Sequence, residues 1–122
     1  MAFIPMISGN VSGAQIVIPK FELVNNTASA NNDKHTAELN LDVSDFTTLE
    51  LGQYEGSIFN GATGEAKIYG KIGQTTTLIQ NYSGSSATID ISGYEGLQIV
   101  LEWQYNNASV NHYMRINNIK IS

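Results

Sequence analysis

Leu41-Asp42-Val43-Ser44-Asp45-Phe46-Thr47-Thr48-Leu49-Glu50-Leu51 returns 48 residues later as Ile89-Asp90-Ile91-Ser92-Gly93-Tyr94-Glu95-Gly96-Leu97-Gln98-Ile99. Each copy runs apolar-Asp-apolar-Ser, turns at a segment carrying one aromatic residue, and restarts at Leu with alternation. Period two puts successive side chains on opposite faces of a strand, so each copy reads as one strand ending and the next being launched. Asp42 and Asp90 occupy equivalent strand ends, where a short carboxylate satisfies turn amides. Phe46 stands where the second copy has Tyr94, so a hydroxyl is not essential to that kind of turn.

Outward from these copies the pattern stays β. Residues 36–43 alternate, with Ala37, Leu39, Leu41 and Val43 on one face and Glu38, Asn40 and Asp42 on the other. Further strands are expected at 15–24, 49–54, 57–59, 65–72, 75–82, 87–91, 97–105 and 112–121, separated by Gly- and Asn-rich turns. Pro19 cannot donate to a ladder, which places the first strand at an edge or a bulge. Residues 25–34 are polar and without periodicity, and long enough to cross between sheets. No window carries helical spacing of apolar residues. About nine short strands at spacings of roughly 8 to 12 residues predict an all-β, antiparallel β-sandwich of jelly-roll type with no substantial helix.

The last two strands allow a finer expectation. If they form a hairpin in which Tyr105 pairs with His112, Trp103 falls opposite Met114 and Leu101 opposite Ile116, all four buried. The same register sets Glu102 opposite Arg115 and Gln104 opposite Tyr113 on the reverse face.

The length of 122 residues suits one domain, here 15–122, preceded by an apolar N-terminal arm at 1–14. Net charge is −5 with only six Lys plus Arg, so no basic surface is available to track phosphates, and nucleic acid is excluded as an expected partner. There is no cysteine, which removes disulfides and thiolate metal sites. Residues 1–9 lack a basic n-region and are broken by Pro5, so no signal peptide is expected, and no apolar run is long enough to cross a membrane. Thirteen Asn, with many Ser, Thr and Gly, and few charges make a hydrogen-bonding surface suited to neutral polar ligands.

Residues 89–121, through Ile89-Asp90-Ile91-Ser92-Gly93-Tyr94, the strand ending Glu102-Trp103-Gln104-Tyr105, and Tyr113-Met114-Arg115-Ile116-Asn117-Asn118-Ile119, resemble the closing half of galactose-binding-like jelly rolls and of many carbohydrate-binding modules. The resemblance implies a sugar-binding jelly roll. Where that group often carries acidic residues that help hold a structural calcium, this chain has Asn117 and Asn118, neutral amides that are poorer ligands for a hard cation, and no cofactor is expected. A compact acidic chain with an apolar arm is also similar in style to small accessory virion proteins of tailed phages. That likeness implies a protein made in a host cytoplasm and located in the virion, whose partners are other virion proteins or further copies of itself.

His35 and His112 are the two histidines and read as turn groups rather than a metal or acid–base pair. No nucleophile motif or phosphate-cradling loop is present, so no catalytic residue is expected. Sugar recognition needs an aromatic face flanked by amides and charged groups. Tyr69 between Lys67 and Lys71, opposite Ala66, Ile68 and Ile72, is one such patch, and Tyr113 with Arg115, Gln104 and Glu102 is a second. The plain alternatives are an outward strand tyrosine and a surface ion pair. Trp103, in phase with Leu97, Ile99 and Leu101, reads as core. In the arm, Phe3, Ile4, Met6 and Ile7 are the candidate partner-docking residues, or else an extra edge strand. The expected function is therefore a non-enzymatic capsid-decoration or tail-associated protein of a phage-like virion, docked by its arm and displaying a cell-surface glycan-binding face. The alternative is a free-standing carbohydrate-binding protein.

Overall fold

The computed structural model describes residues 15–25, 33–57, 63–105 and 112–122. Among them are nine strands and no helix: β1 (Ile16–Asn25), β2 (Asp33–Asp42), β3 (Thr48–Leu51), β4 (Tyr54–Ser57), β5 (Thr63–Ile72), β6 (Thr75–Asn81), β7 (Ala87–Asp90), β8 (Gly96–Tyr105) and β9 (His112–Ile121). They form two antiparallel sheets. One has the order β1-β9-β3-β7, with β4 also on β9, and the other the order β2-β8-β5-β6. This interleaving is the double Greek key of a jelly roll. The expected sandwich is present, and the arm at 1–14 lies outside the described residues.

The inward faces follow the alternation. Leu97, Ile99, Leu101 and Trp103 from β8 are buried against Met114, Ile116, Ile119 and Ile121 from β9, with Leu49, Leu51, Ile68, Val43 and Ile91 in the same cluster. Leu39 and Leu41 pack against its rim. Each fully buried large aliphatic side chain contributes about 1.5 to 3 kcal/mol, and in a chain without cysteine packing carries the fold.

The predicted β8–β9 hairpin does not form. β8 lies between β2 and β5 in the four-stranded sheet, with Trp103 opposite His35 and Gly64. β9 lies in the other sheet, with Met114 opposite Leu23 and Gly56. Leu101, Trp103, Met114 and Ile116 do share one core, but they meet across the sandwich instead of along a ladder. Glu102 and Arg115 accordingly stand on opposite outer faces. Alternation says which side of a strand is dry; it does not say which strand lies beside it.

The 48-residue repeat has a structural meaning. The first copy carries the chain from β2 to β3 and the second from β7 to β8, so each crosses between the sheets. The two crossings clasp each other. Val43 N–H donates to the Glu95 carbonyl at 2.9 Å, and its equivalent Ile91 donates to the Thr47 carbonyl at 2.8 Å, Thr47 being the equivalent of Glu95. The pairing is reciprocal as well, with Asp42 opposite Gly96 in one sheet and Thr48 opposite Asp90 in the other. The repeated sequence builds a pseudo-two-fold corner at one end of the sandwich.

A second irregularity runs across three neighbouring strands of the five-stranded sheet. The inward positions step by three instead of two at Ile18 to Phe21 on β1, at Ile116 to Ile119 on β9, and at Leu51 to Tyr54 between β3 and β4. Pro19 has no ladder partner there, and Asn118 takes a positive φ of 55°. The strand expected at 49–54 is thus split, and the pieces Thr48–Leu51 and Tyr54–Ser57 both pair with β9 on either side of the break. The next expected strand, 57–59, is represented only by the end of β4, and residues 58–62 lie outside the described residues.

Candidate functional site

The outer face of the four-stranded sheet brings together residues that are scattered along the chain. With Ala66, Ile68 and Gly70 turned into the core, β5 presents Glu65, Lys67, Tyr69 and Lys71 outward. In register, Tyr69 stands opposite Gln98 on one side and Leu78 on the other, and Gln98 stands opposite Asn40. A half-buried phenol is therefore flanked by an aliphatic side chain at the β6 edge and by two primary amides reaching toward β2. Gln98 is itself steered, donating from Nε2 to Glu38 at 3.2 Å.

The neighbouring rows differ in how far they are committed. Lys67 Nζ lies 3.1 Å from Glu65 and 3.5 Å from Glu102. Its hydrogen bond to Glu65, with the charge of Glu102 behind it, holds its ammonium above the usual lysine range. On the other side of Tyr69, Lys71 lies opposite Gly96, which in turn lies opposite Asp42. The missing side chain at Gly96 leaves a shallow cleft between Asn40 and Asp42 on one wall and Lys71 and Glu95 on the other. Glu95 is fixed, because its Oε1 accepts Gly73 N–H at 2.8 Å while its own N–H donates to the Lys71 carbonyl at 2.9 Å. The backbone N–H and the hydroxyl of Ser44 both donate to Asp42 Oδ1, at 3.0 and 2.8 Å, and hold its carboxyl below the usual carboxylate range.

Of the sequence-predicted site residues, Lys67, Tyr69, Lys71 and Glu102 share this face. Gln104 belongs to the same strand as Glu102, but its side chain lies outside the described residues. Tyr113 and Arg115 are on the far side of the sandwich, so the second predicted patch is divided between the two sheets. Ile72, expected inward with Ala66 and Ile68, is 52% exposed because it already borders the β5–β6 turn. Sequence reasoning missed Asn40, Gln98, Asp42 and Glu95. Their outward phase was readable, but their convergence on Tyr69 depends on β8 lying between β2 and β5.

The opposite face is an ion-paired clamp. Arg115 lies 3.3 Å from Glu22 of β1 through Nε and 3.2 Å from Glu55 of β4 through Nη1, tying three strands together. The Nε contact is an ion pair without good hydrogen-bond geometry. The guanidinium also sits 4.4 Å from the Tyr113 ring centre and covers one of its faces. Asn117 donates from Nδ2 to the Gln53 carbonyl at 2.9 Å and to Glu55 at 3.1 Å, so this amide braces the break in the sheet. Partly exposed pairs of this kind contribute little individually, about 0 to 1 kcal/mol, and act here mainly to hold register.

Among the described residues no group of three or more His, Cys, Asp or Glu side chains is placed to hold a metal ion. Phe3, Ile4, Met6 and Ile7 lie outside the described residues, as does the side chain of His112. No protein-family model, curated protein or solved structure matches the chain.

Proposed function

We propose that this chain is a non-enzymatic accessory structural protein of a phage-like particle that presents the Tyr69 face of its four-stranded sheet to neutral glycans. The observation carrying the glycan reading is the row Asn40, Gln98 and Tyr69. A pyranose has an apolar C–H side that lies against an aromatic ring and hydroxyls that both give and take hydrogen bonds, which primary amides answer in both directions. The cleft over Gly96, bounded by Lys71, Asp42 and Glu95, extends that row and supplies charged acceptors and a donor. Shallow geometry favours a loosely held, extended ligand over an enclosed one. The particle half of the reading is supported by the jelly-roll architecture and by the resemblance in style to small accessory virion proteins.

Titration of the full chain with a broad oligosaccharide panel, read by amide chemical shifts, tests the glycan reading. Shifts clustered at Asn40, Gln98 and Tyr69 are expected, and Tyr69→Ala should weaken binding about tenfold, equivalent to about 1.4 kcal/mol of lost ring contact. Silence across the panel, or shifts confined to the Tyr113 face, removes that assignment.

A further inference from the structure

Three of the sheet edges carry features that discourage pairing with another chain. β1 holds Pro19, Lys20 and Glu22, β2 holds Glu38 and Asp42, and β7 is four residues long and ends at Asp90. β6 is different. Its sequence, Thr75-Thr76-Thr77-Leu78-Ile79-Gln80-Asn81, contains no charge and no proline, and every residue but Ile79 is exposed, Leu78 by 47%. It ends the four-stranded sheet, and among the described residues no strand covers it.

The open hydrogen-bonding groups of this edge can be located. β5 and β6 are joined by a two-residue turn, Gly73-Gln74, with Gly73 at a positive φ of 59° and Ile72 opposite Thr75. Pairs alternate from that closing pair, so Thr75 and Thr77 exchange bonds with β5 while the N–H and C=O of Thr76 and Leu78 point outward. The Lys71 carbonyl, opposite Thr76, is turned toward Glu95 and away from β6, as this alternation requires. The register shift opposite Ile68 and Tyr69 ends the regular stretch after Leu78.

We infer that β6 is a self-pairing edge, at which a second copy of this chain adds antiparallel about a two-fold axis through Thr77 and continues the four-stranded sheet across both molecules. In that register Thr76 of each copy exchanges both backbone bonds with Leu78 of the other, and the two Thr77 side chains face each other. The outward backbone groups of Thr76 and Leu78 lie symmetrically about Thr77 and so answer those of an identical strand, and with no charge on the edge two copies meet without like-charge repulsion, which is why the occupant is a second copy. A two-fold pairing also uses up the edge, so assembly stops at a dimer. The inference goes beyond the glycan and particle readings and is independent of them.

The test is sedimentation velocity on the full chain between about 10 μM and 1 mM, where an interface limited to one edge is expected to associate. The wild type should pass from monomer to dimer. Thr77→Lys and Thr77→Glu should each remain monomeric with unchanged far-UV circular dichroism, and an equimolar mixture of the two should regain the dimer. Thr77→Cys, in a chain with no cysteine of its own, should form a disulfide dimer on mild oxidation, while Ser85→Cys should not. A wild type that stays monomeric overturns the inference, as do dimers that persist in both charged variants, open-ended oligomers, or a dimer that appears only once residues 1–14 are deleted.

Discussion

At the scale of single residues, the break across the five-stranded sheet depends on three residues that suit one unusual level. Pro19 brings no N–H where none is paired, and Asn118 tolerates a positive φ that a branched residue resists. Gly52 allows the chain between β3 and β4 to approach β9, since a Cβ there would lie 2.5 Å from the Asn117 carbonyl oxygen. That oxygen also accepts the Gly52 N–H at 2.8 Å, and the Gly52 carbonyl accepts the Tyr82 hydroxyl at 2.7 Å. Backbone held from both sides cannot retreat. Gly52→Ala should therefore cost about 1 to 3 kcal/mol in urea unfolding, while Gly84→Ala, whose added Cβ would find ordinary van der Waals neighbours 3.4 Å or more away, should cost less. Equal costs at the two positions would mean that the break has no steric basis.

At the scale of elements, the clasped turns carry two matched carboxylates. Ser92 donates from both its hydroxyl and its backbone N–H to Asp90 Oδ1, at 2.6 and 2.9 Å, as Ser44 does to Asp42. These bonds hold both carboxyls below the ordinary value of 3.8. A carboxylate whose pKa is lower in the folded chain stabilises the fold above its unfolded-chain pKa, and that contribution fades as pH falls through the folded value. Stability to urea should therefore be fully developed above about pH 5 and decline below about pH 4. Asp42→Asn and Asp90→Asn should each lower the plateau and flatten the decline, and the double variant should flatten it further. A decline of unchanged steepness in the double variant would assign acid sensitivity to other groups. Both turns bury an equivalent apolar residue, Val43 and Ile91, so the clasp is anchored in the core as well as at its hydrogen bonds.

At the scale of the whole molecule, the two outer faces differ. One sheet spends its charges on the Glu22, Arg115 and Glu55 clamp, and the other presents Tyr69 among amides beside a cleft. The proposed particle role needs one region for attachment and another for display, and under that proposal the apolar residues Phe3, Ile4, Met6 and Ile7 of the arm are the docking candidates. Deleting residues 1–14 should abolish incorporation into particles while leaving a cooperatively folded domain. Incorporation of the deleted chain at the wild-type level, measured by mass spectrometry of purified particles, would move the attachment site elsewhere. Tyr69 with Lys67 and Lys71 was legible as a patch because all three lie on one strand, where phase alone decides the face. Asn40 and Gln98 were not, since they reach Tyr69 only through two lateral pairings of high sequence separation.

The order of apolar and polar residues determined most of the strands, though not the split of 49–54 into β3 and β4, as well as the inward position of Trp103, Leu101, Met114 and Ile116 and the turn-capping work of Asp42 and Asp90, because each depends on spacing within a few residues. The repeat marked two equivalent turns without saying that they interlock. Tertiary structure alone decided that β8 and β9 belong to different sheets, that Glu102 and Arg115 face opposite ways, and that Asn40 and Gln98 join Tyr69. Strand neighbours are selected by closing the whole sandwich around one core, and no local pattern encodes that choice.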